Sequence, residues 1–190
     1  KSGIWVSLTT GFVRLSQILM LIILARLLSP REFGLMGIAL LTVSATRRFT
    51  DIGINAALIQ DAQENVDKHL NTTWCLEAGR GLLIFTVLFV AAPFIASVFD
   101  EPGAATLIHV LGLSPFLLGL RNPGVVYFQK DLSFHKNFVW QSSAALTQFA
   151  VGVGYALYSP TVWALVFASL SRSFVKFALS YVLHDYRPWP

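Results

Sequence analysis

The composition of this 190-residue chain excludes an ordinary soluble domain. Hydrophobic residues make up 55% of the chain, charged residues only 13%, and the mean hydropathy is +0.62. A soluble domain carries about 25% charged residues, so this chain has too few charges to cover a water-facing surface. The net charge of +4 comes from bases scattered over loops and helix interiors rather than from a basic patch, which argues against a nucleic-acid partner.

The charges cluster between long uncharged runs, which predicts an all-α integral membrane protein with six transmembrane helices. Pro30 ends the first span, and the second is purely apolar only to Ala45. The second span must therefore continue through the charged stretch 47–51 to cross about 30 Å of hydrocarbon. Turn signals at 100–103 and 159–160 separate the later spans. The predicted spans are 3–28, 33–60, 73–99, 104–120, 138–158 and 161–184.

The charge of the loops predicts the orientation of the chain. The predicted outer turns carry a single basic residue, Arg31, whereas basic residues occur at the N-terminus and in the loops 61–72 and 121–136. Because positive loops stay in the cytoplasm, we expect a multi-pass protein with a cytoplasmic N-terminus. The sequence has no initiator Met and ends soon after an apolar span, so we expect a piece of a longer protein.

Polar residues within the spans are the candidate functional residues, because a charged side chain at a helix centre costs about 2.5–3.5 kcal/mol. In four helices they recur at spacings of three and four, which places them on one face. The stripes are Ser7, Thr10, Arg14 and Gln17; Ser44, Arg47, Arg48, Asp51 and Asn55; Thr73, Glu77 and Arg80; and Ser169, Arg172, Ser173, Lys176 and Ser180.

Two of these stripes are typical of a polar seam between helices. Glu77 and Arg80 are three residues apart near a helix end and are predicted to pair with each other. Asp51 can reach either Arg47 or Arg48, but it cannot neutralise both of them.

The remaining interior bases indicate a cavity. Arg14 lies near the middle of its span, too deep to reach the interface easily. Arg172 and Lys176 are like charges one turn apart, and they could either line a cavity or lie near the interface. Because interior bases outnumber interior acids by six to two, the sequence predicts a positive, watery cavity that suits an anion such as phosphate.

No pattern in the sequence indicates catalysis. There is no nucleophile–base constellation, glycine-rich phosphate loop or zinc spacing, and Cys75 is the only cysteine. We therefore predict a protein that is not an enzyme and that needs neither a cofactor nor a metal.

Three segments resemble a known family. Residues 24–35, LARLLSPREFGL, resemble the first outer turn of the Wzx-like polysaccharide flippases of the MOP exporter superfamily. Residues 51–60, DIGINAALIQ, resemble the D-x-G-x-x-x-A-L-I-Q pattern that ends the second helix of that family. Residues 129–134, QKDLSF, are similar to its basic loop after the fourth helix.

This resemblance implies that the chain is the N-terminal lobe of a two-lobed transporter whose C-terminal lobe lies outside residues 1–190. It implies that the whole protein moves undecaprenyl-diphosphate-linked oligosaccharide between leaflets of the bacterial inner membrane, from the cytoplasmic to the outer one. The product would be a surface polysaccharide such as lipopolysaccharide, and the partners would be the bilayer, the lipid-linked oligosaccharide and polysaccharide polymerase machinery.

The resemblance also suggests roles for the interior polar residues. The predicted diphosphate-binding residues are Arg14, Arg47, Arg48, Arg172 and Lys176, and the predicted cavity or ion-coupling residues are Gln17, Asp51, Glu77 and Arg80. Two alternatives stay open. A drug or metabolite exporter of the same superfamily would need buried carboxylates in the first helix if its cargo were cationic, and that helix has none. A membrane-embedded sugar or acyl transferase would need larger polar loops.

Cysteine labelling tests the predicted orientation. In a full-length Cys75→Ser protein, Glu101→Cys should react with a membrane-impermeant maleimide outside intact spheroplasts, because residue 101 lies in a predicted outer turn. The matched control, Lys136→Cys, should react only after the membrane is opened. Labelling of residue 101 from the cytoplasm alone would contradict the topology.

Overall fold

The computed structural model describes residues 2–58, 66–126 and 134–183, and the regular structure in these ranges is entirely helical. This confirms the predicted all-α membrane fold. The elements are α1 (Ser2–Leu27), α2 (Pro30–Leu58), α3 (Val66–Val98), α4 (Gly103–Leu111), α5 (Leu113–Gly119), a 3₁₀ turn (Pro123–Val126), α6 (Phe134–Tyr158) and α7 (Trp163–Leu183).

Three of the described helices are long and apolar enough to cross a membrane by themselves. The crossing segments are Ser7–Leu27 in α1, Trp74–Val98 in α3 and Trp163–Leu183 in α7. The helices α2 and α6 have 29 and 25 residues, which exceeds the roughly 20 residues that a membrane span needs. Both carry many polar side chains, so they need protein or water along their polar faces.

The turn between α1 and α2 contains the residues that begin α2. Pro30 is the first residue of α2, a position where its missing N–H would have had no helical partner. The Oε2 atom of Glu32 accepts hydrogen bonds from the Ser29 backbone N–H at 2.8 Å and from the Ser29 hydroxyl at 3.1 Å. Glu32 thus supplies one half of a capping box, and this contact fixes the beginning of α2. The predicted start of the second span at residue 33 was therefore too late.

Two other helices begin earlier than predicted. The helix α3 begins at Val66 and α6 at Phe134, so both extend into the segments 61–72 and 121–136 that were predicted to be loops. Residues 59–65 and 127–133 lie outside the described part of the chain.

The predicted fourth span, 104–120, corresponds to one apolar helical run, Gly103–Gly119, in which the hydrogen bonding is interrupted locally. The helix α4 ends at Leu111, Gly112 stands between the helices, and α5 begins at Leu113. Pro115 explains the break, because it has no N–H to donate to the Leu111 carbonyl and its ring crowds that carbonyl.

The turn after α3 is tied to the start of α2. Asp100 adopts a left-handed conformation with φ of 53°, and the Glu101 N–H donates to the Ala96 carbonyl at 3.0 Å. The Asp100 N–H donates to the Ser97 carbonyl at 3.3 Å, which completes a Schellman motif. Arg31 Nη2 lies 3.1 Å from Glu101 Oε2, so an ion pair joins two turns that are distant in sequence.

The helices pack as two groups that meet at α7. The helix α1 lies along α6, and α6 packs against α7. In the other group, α2 packs against α3 and α4, and α3 packs against α4 and α5. The helix α7 contacts α4 and α5 and thereby joins the groups. The shared core includes Met20, Leu24, Leu88, Ile108, Leu111 and Val166.

Two glycines allow α3 and α5 to approach at backbone distance. A Cβ atom on Gly119 would lie 2.5 Å from the Glu77 carbonyl oxygen, and one on Gly81 would lie 3.0 Å from the Pro115 carbonyl oxygen. Only a residue without a side chain fits between the two backbones at Gly119. This close contact brings the charged face of α3 beside α5.

We expect Gly119→Ala to lower the stability of the protein by about 1–3 kcal/mol, the usual cost of overpacking, because α3 and α5 must separate to admit the methyl group. Gly79→Ala is the matched control, since a Cβ on Gly79 meets nothing within 4 Å. The melting temperature in detergent should fall for the first variant and stay level or rise for the second. Equal melting temperatures for Gly119→Ala and wild type would show that the close contact does not exist.

Candidate functional site

A polar pocket of about 380 Å³ lies between α1, α6 and α7. We call it the α1–α6–α7 pocket. Thr10 and Arg14 are exposed, and the pocket lies along two of the apolar spans, where a polar lining needs a partner other than hydrocarbon. It is lined by Thr9, Thr10, Val13, Arg14, Gln17, Asn137, Gln141 and Arg172.

The charge of this pocket comes from two arginines, and its described lining includes no carboxylate. Arg14 projects from the middle of α1, and Arg172 is half-buried on α7. Arg172 Nη1 donates to Gln148 Oε1 at 3.0 Å, so a neutral amide on α6 holds one guanidinium in place without cancelling its charge. The arrangement offers two planar cationic groups to one ligand, which suits a phosphate or carboxylate.

Several polar side chains in the pocket make no hydrogen bond within the described residues: Thr10, Arg14, Gln17, Asn137 and Gln141. Hydroxyl groups elsewhere in the helices behave differently. Thr42, Thr86 and Thr147 each donate to the carbonyl four residues earlier, at 2.8–2.9 Å. A polar group without a partner is expensive in hydrocarbon, so these side chains must meet water, a ligand or parts of the protein outside the described residues.

A second pocket of about 230 Å³ lies between α2, α3 and α5, and we call it the α2–α3–α5 pocket. Its ionisable lining residues are Arg47, Glu77, Arg80 and Arg121. The Nη2 atom of Arg121 lies 3.9 Å from Glu77 Oε2, and both side chains are more than a third exposed. This ion pair is therefore weak.

A short chain of hydrogen bonds connects the two helix groups between the pockets. Arg47 Nη2 donates to the Ser114 hydroxyl at 3.4 Å, and the Ser114 and Ser173 hydroxyls lie 2.6 Å apart in a buried site. Ser173 directly follows Arg172 on α7. The two pockets are separate, and of their arginines Arg47 bonds to this buried contact, whereas Arg172 donates to Gln148.

The structure thus divides the residues that the sequence predicted for one cavity. Arg14, Gln17 and Arg172 meet in the α1–α6–α7 pocket. Arg47, Glu77 and Arg80 meet in the other pocket. Because the two polar stripes face different neighbouring helices, the predicted cavity shared by Arg14, Arg47 and Arg48 is not found among the described residues.

The other predicted site residues lie apart from these groups. Arg48 is exposed on α2 and lines neither pocket. Lys176 places its Nζ atom 5.0 Å from the centre of the Trp140 ring and lines neither pocket. The side chain of Asp51 lies outside the described part of the structure. The ion pair found for Glu77 is with Arg121, so the predicted partner, Arg80, was wrong.

Sequence analysis missed Asn137, Gln141 and Arg121 as lining residues. Asn137 and Gln141 are four residues apart, and Gln148 follows seven residues later, so all three lie on one face of α6. This spacing could have identified one polar face on the helix. The three side chains are neutral amides, however, and the predicted span 138–158 carries no charge. Arg121 fell in a predicted loop and was counted only for topology.

Fold and pockets together define a multi-pass helical membrane protein with cationic, polar pockets among its helices. The chain belongs to the polysaccharide biosynthesis protein family, whose model matches residues 23–190. This confirms the family that the segments 24–35 and 51–60 predicted. No solved structure matches the chain significantly.

The chain is similar to several bacterial proteins of known name. It is 26% identical to the lipopolysaccharide biosynthesis protein WzxC of Escherichia coli over 172 residues, which are 90% of this chain and 35% of that protein. It is 27% identical to the succinoglycan biosynthesis transport protein ExoT of Rhizobium meliloti over 169 residues, 87% of this chain and 33% of that protein. The teichuronic acid biosynthesis protein TuaB of Bacillus subtilis is 27% identical over 131 residues, 69% of this chain and 27% of that protein.

The chain therefore spans about a third of the length of the curated relatives it matches. The names of these relatives place those proteins in polysaccharide biosynthesis and transport.

Proposed function

We propose that this chain is the N-terminal lobe of a flippase that moves a polyprenyl-diphosphate-linked oligosaccharide, of the undecaprenyl type, across the bacterial inner membrane to its outer leaflet. The observation that carries this proposal is the α1–α6–α7 pocket. Two guanidinium groups and a set of neutral hydrogen-bonding side chains share a site within membrane helices, and no carboxylate is among its described lining residues. The family and its named relatives supply the polysaccharide context.

The pocket suits the charged linkage of such a lipid. A diphosphate presents several oxygens, and a guanidinium binds two of them at once with parallel hydrogen bonds. Arg14 and Arg172 approach the pocket from α1 and α7, so they can hold the diphosphate from two sides. The polyprenyl chain needs no protein site, because hydrocarbon dissolves it.

In this proposal Glu77 and Arg80 of the α2–α3–α5 pocket serve in ion coupling. The buried Ser114–Ser173 contact joins the helices of the two pockets. In this proposal Arg48, Lys176 and Asp51 contribute to the cavity only in the whole protein, in which a second lobe would face α1 and α2.

An exporter of cationic drugs fits the pocket less well. A cation needs a carboxylate partner in low dielectric, and the α1–α6–α7 pocket has two arginines in its described lining instead. Arginine in such a site repels a cationic cargo.

Substitution of Arg14 in the full-length protein tests the proposal. Arg14→Ala should lower export of surface polysaccharide by about tenfold or more, because a charge-assisted hydrogen bond contributes about 1.5–3 kcal/mol. Arg14→Lys should retain part of the activity, since lysine keeps the charge but loses the bidentate geometry. The measurement is surface polysaccharide per inserted protein in a strain without its own flippase.

Arg26→Ala is the matched control, because Arg26 is an exposed arginine of the same helix that lines neither pocket. It should leave export per inserted molecule near the wild-type level. Normal export by Arg14→Ala, or equal export by Arg14→Gln and Arg14→Lys, would contradict a diphosphate contact at this residue.

A further inference from the structure

A proline interrupts the backbone hydrogen bonding of α3 inside a membrane span. Pro93 lies within α3 and within the crossing segment Trp74–Val98. Because proline has no N–H, the carbonyl of Phe89, four residues earlier, loses its usual helical donor, and the proline ring crowds the same carbonyl. The side chains of Phe89 and Phe94 are 54% and 70% exposed, so the surroundings of this carbonyl are apolar. A membrane helix tolerates such a proline when another group satisfies the freed carbonyl.

His109 on α4 contacts this carbonyl. Its Nε2 atom lies 3.0 Å from the Phe89 carbonyl oxygen, and its ring stacks on the Phe89 ring with 4.4 Å between the centroids. A carbonyl oxygen can only accept a hydrogen bond, so Nε2 of His109 carries the proton and donates it. The bond joins residues that are 20 positions apart, on two helices that pack against each other.

We infer that His109 replaces the missing N–H of Pro93 and acts as a latch on a hinge in α3. The hinge at Pro93 divides α3 into a long part before the proline and a terminal segment, residues 94–98. Helices bend at proline because one backbone bond is absent there. While His109 donates to the Phe89 carbonyl, α4 holds the hinge in one arrangement. When this bond breaks, the terminal segment is free to change its angle.

The other contacts of the terminal segment fix its angle less firmly. Ile95 and Ala96 pack against apolar neighbours, but apolar contacts have no preferred direction. The turn that follows is tied to α2 by the Arg31–Glu101 ion pair, in which Arg31 is exposed, and exposed ion pairs contribute little. The bond from His109 is directional and has no water competing for it in apolar surroundings. The latch is a property of the helix packing and does not depend on the proposed function.

A double-mutant cycle in the full-length protein tests the replacement of the N–H. His109→Phe keeps an aromatic ring beside Phe89 but removes the donor, and Pro93→Ala restores the N–H that the Phe89 carbonyl lacks. The melting temperature in detergent should fall for His109→Phe in the wild-type background, and by less than about half as much in the Pro93→Ala background. Thr86→Val is the matched control, because the Thr86 hydroxyl donates at 2.9 Å to the Leu82 carbonyl, four residues before a residue that keeps its N–H. Its effect should be equal in both backgrounds.

Spin labels in a cysteine-free full-length protein test the latch itself. Labels at Ser97 and Thr106, both exposed, measure the distance from the terminal segment to α4. Labels at Val87 and Thr106 measure the distance from α4 to the part of α3 before the hinge. His109→Phe should broaden the first distance distribution and leave the second unchanged. Adding Pro93→Ala should narrow the first distribution again.

Each result either supports or overturns the proposal. Equal losses of melting temperature for His109→Phe in the two backgrounds would overturn the replacement of the Pro93 N–H. Unequal losses with an unchanged Ser97–Thr106 distribution would show a static bond and overturn the latch. If His109→Phe does not insert, insertion of the double variant with Pro93→Ala supports the proposal, whereas failure of both variants contradicts it.

Discussion

Hydrocarbon offers no hydrogen bonds, and a polar group that enters it without a partner costs about 2–7 kcal/mol. This constraint accounts for the all-helical backbone of the described residues, in which the chain satisfies its own amides. It also accounts for the hydroxyl groups of Thr42 and Thr86, which donate to carbonyls of their own helices. Asp100 is the one non-glycine residue with positive φ in the described ranges, and it lies just after α3. The backbone N–H groups there are satisfied by the hydrogen bonds of a Schellman motif.

The α1–α6–α7 pocket departs from the rule that polar groups in membrane helices have hydrogen-bond partners. Five of its polar side chains make no hydrogen bond within the described residues, although they lie in or beside membrane spans. A seam that holds helices together would pair such groups, as the Ser114 and Ser173 hydroxyls are paired at 2.6 Å. Five side chains without a described partner, beside an Arg172 guanidinium that Gln148 holds, are the expected form of a site that receives its partners from a hydrated, anionic ligand.

The sequence predicted the elements better than the site. Apolar runs and turn signals located the helices because burial in lipid requires them, but the start of α2 at Pro30 and the break before Pro115 depend on local backbone bonding. The interior arginines were recognised by their charge. Their division between two pockets depends on which helices pack together, and no periodicity within one helix contains that information. The sequence did not predict Asn137 and Gln141 as site residues, because neutral amides indicate a site only when the structure places them across a pocket from Arg14.

Photo-crosslinking inside the pocket tests the central claim most directly, because it reports occupancy rather than activity. A photoreactive amino acid at Val13, which lines the α1–α6–α7 pocket, should capture the diphosphate-linked sugar lipid in cells that make it, and mass spectrometry should find the diphosphate and sugar on the crosslinked peptide. The same amino acid at Leu15, 58% exposed and outside the lining, should capture ordinary membrane lipid instead. Capture of ordinary lipid alone at both positions would contradict the claim that this pocket holds the transported ligand.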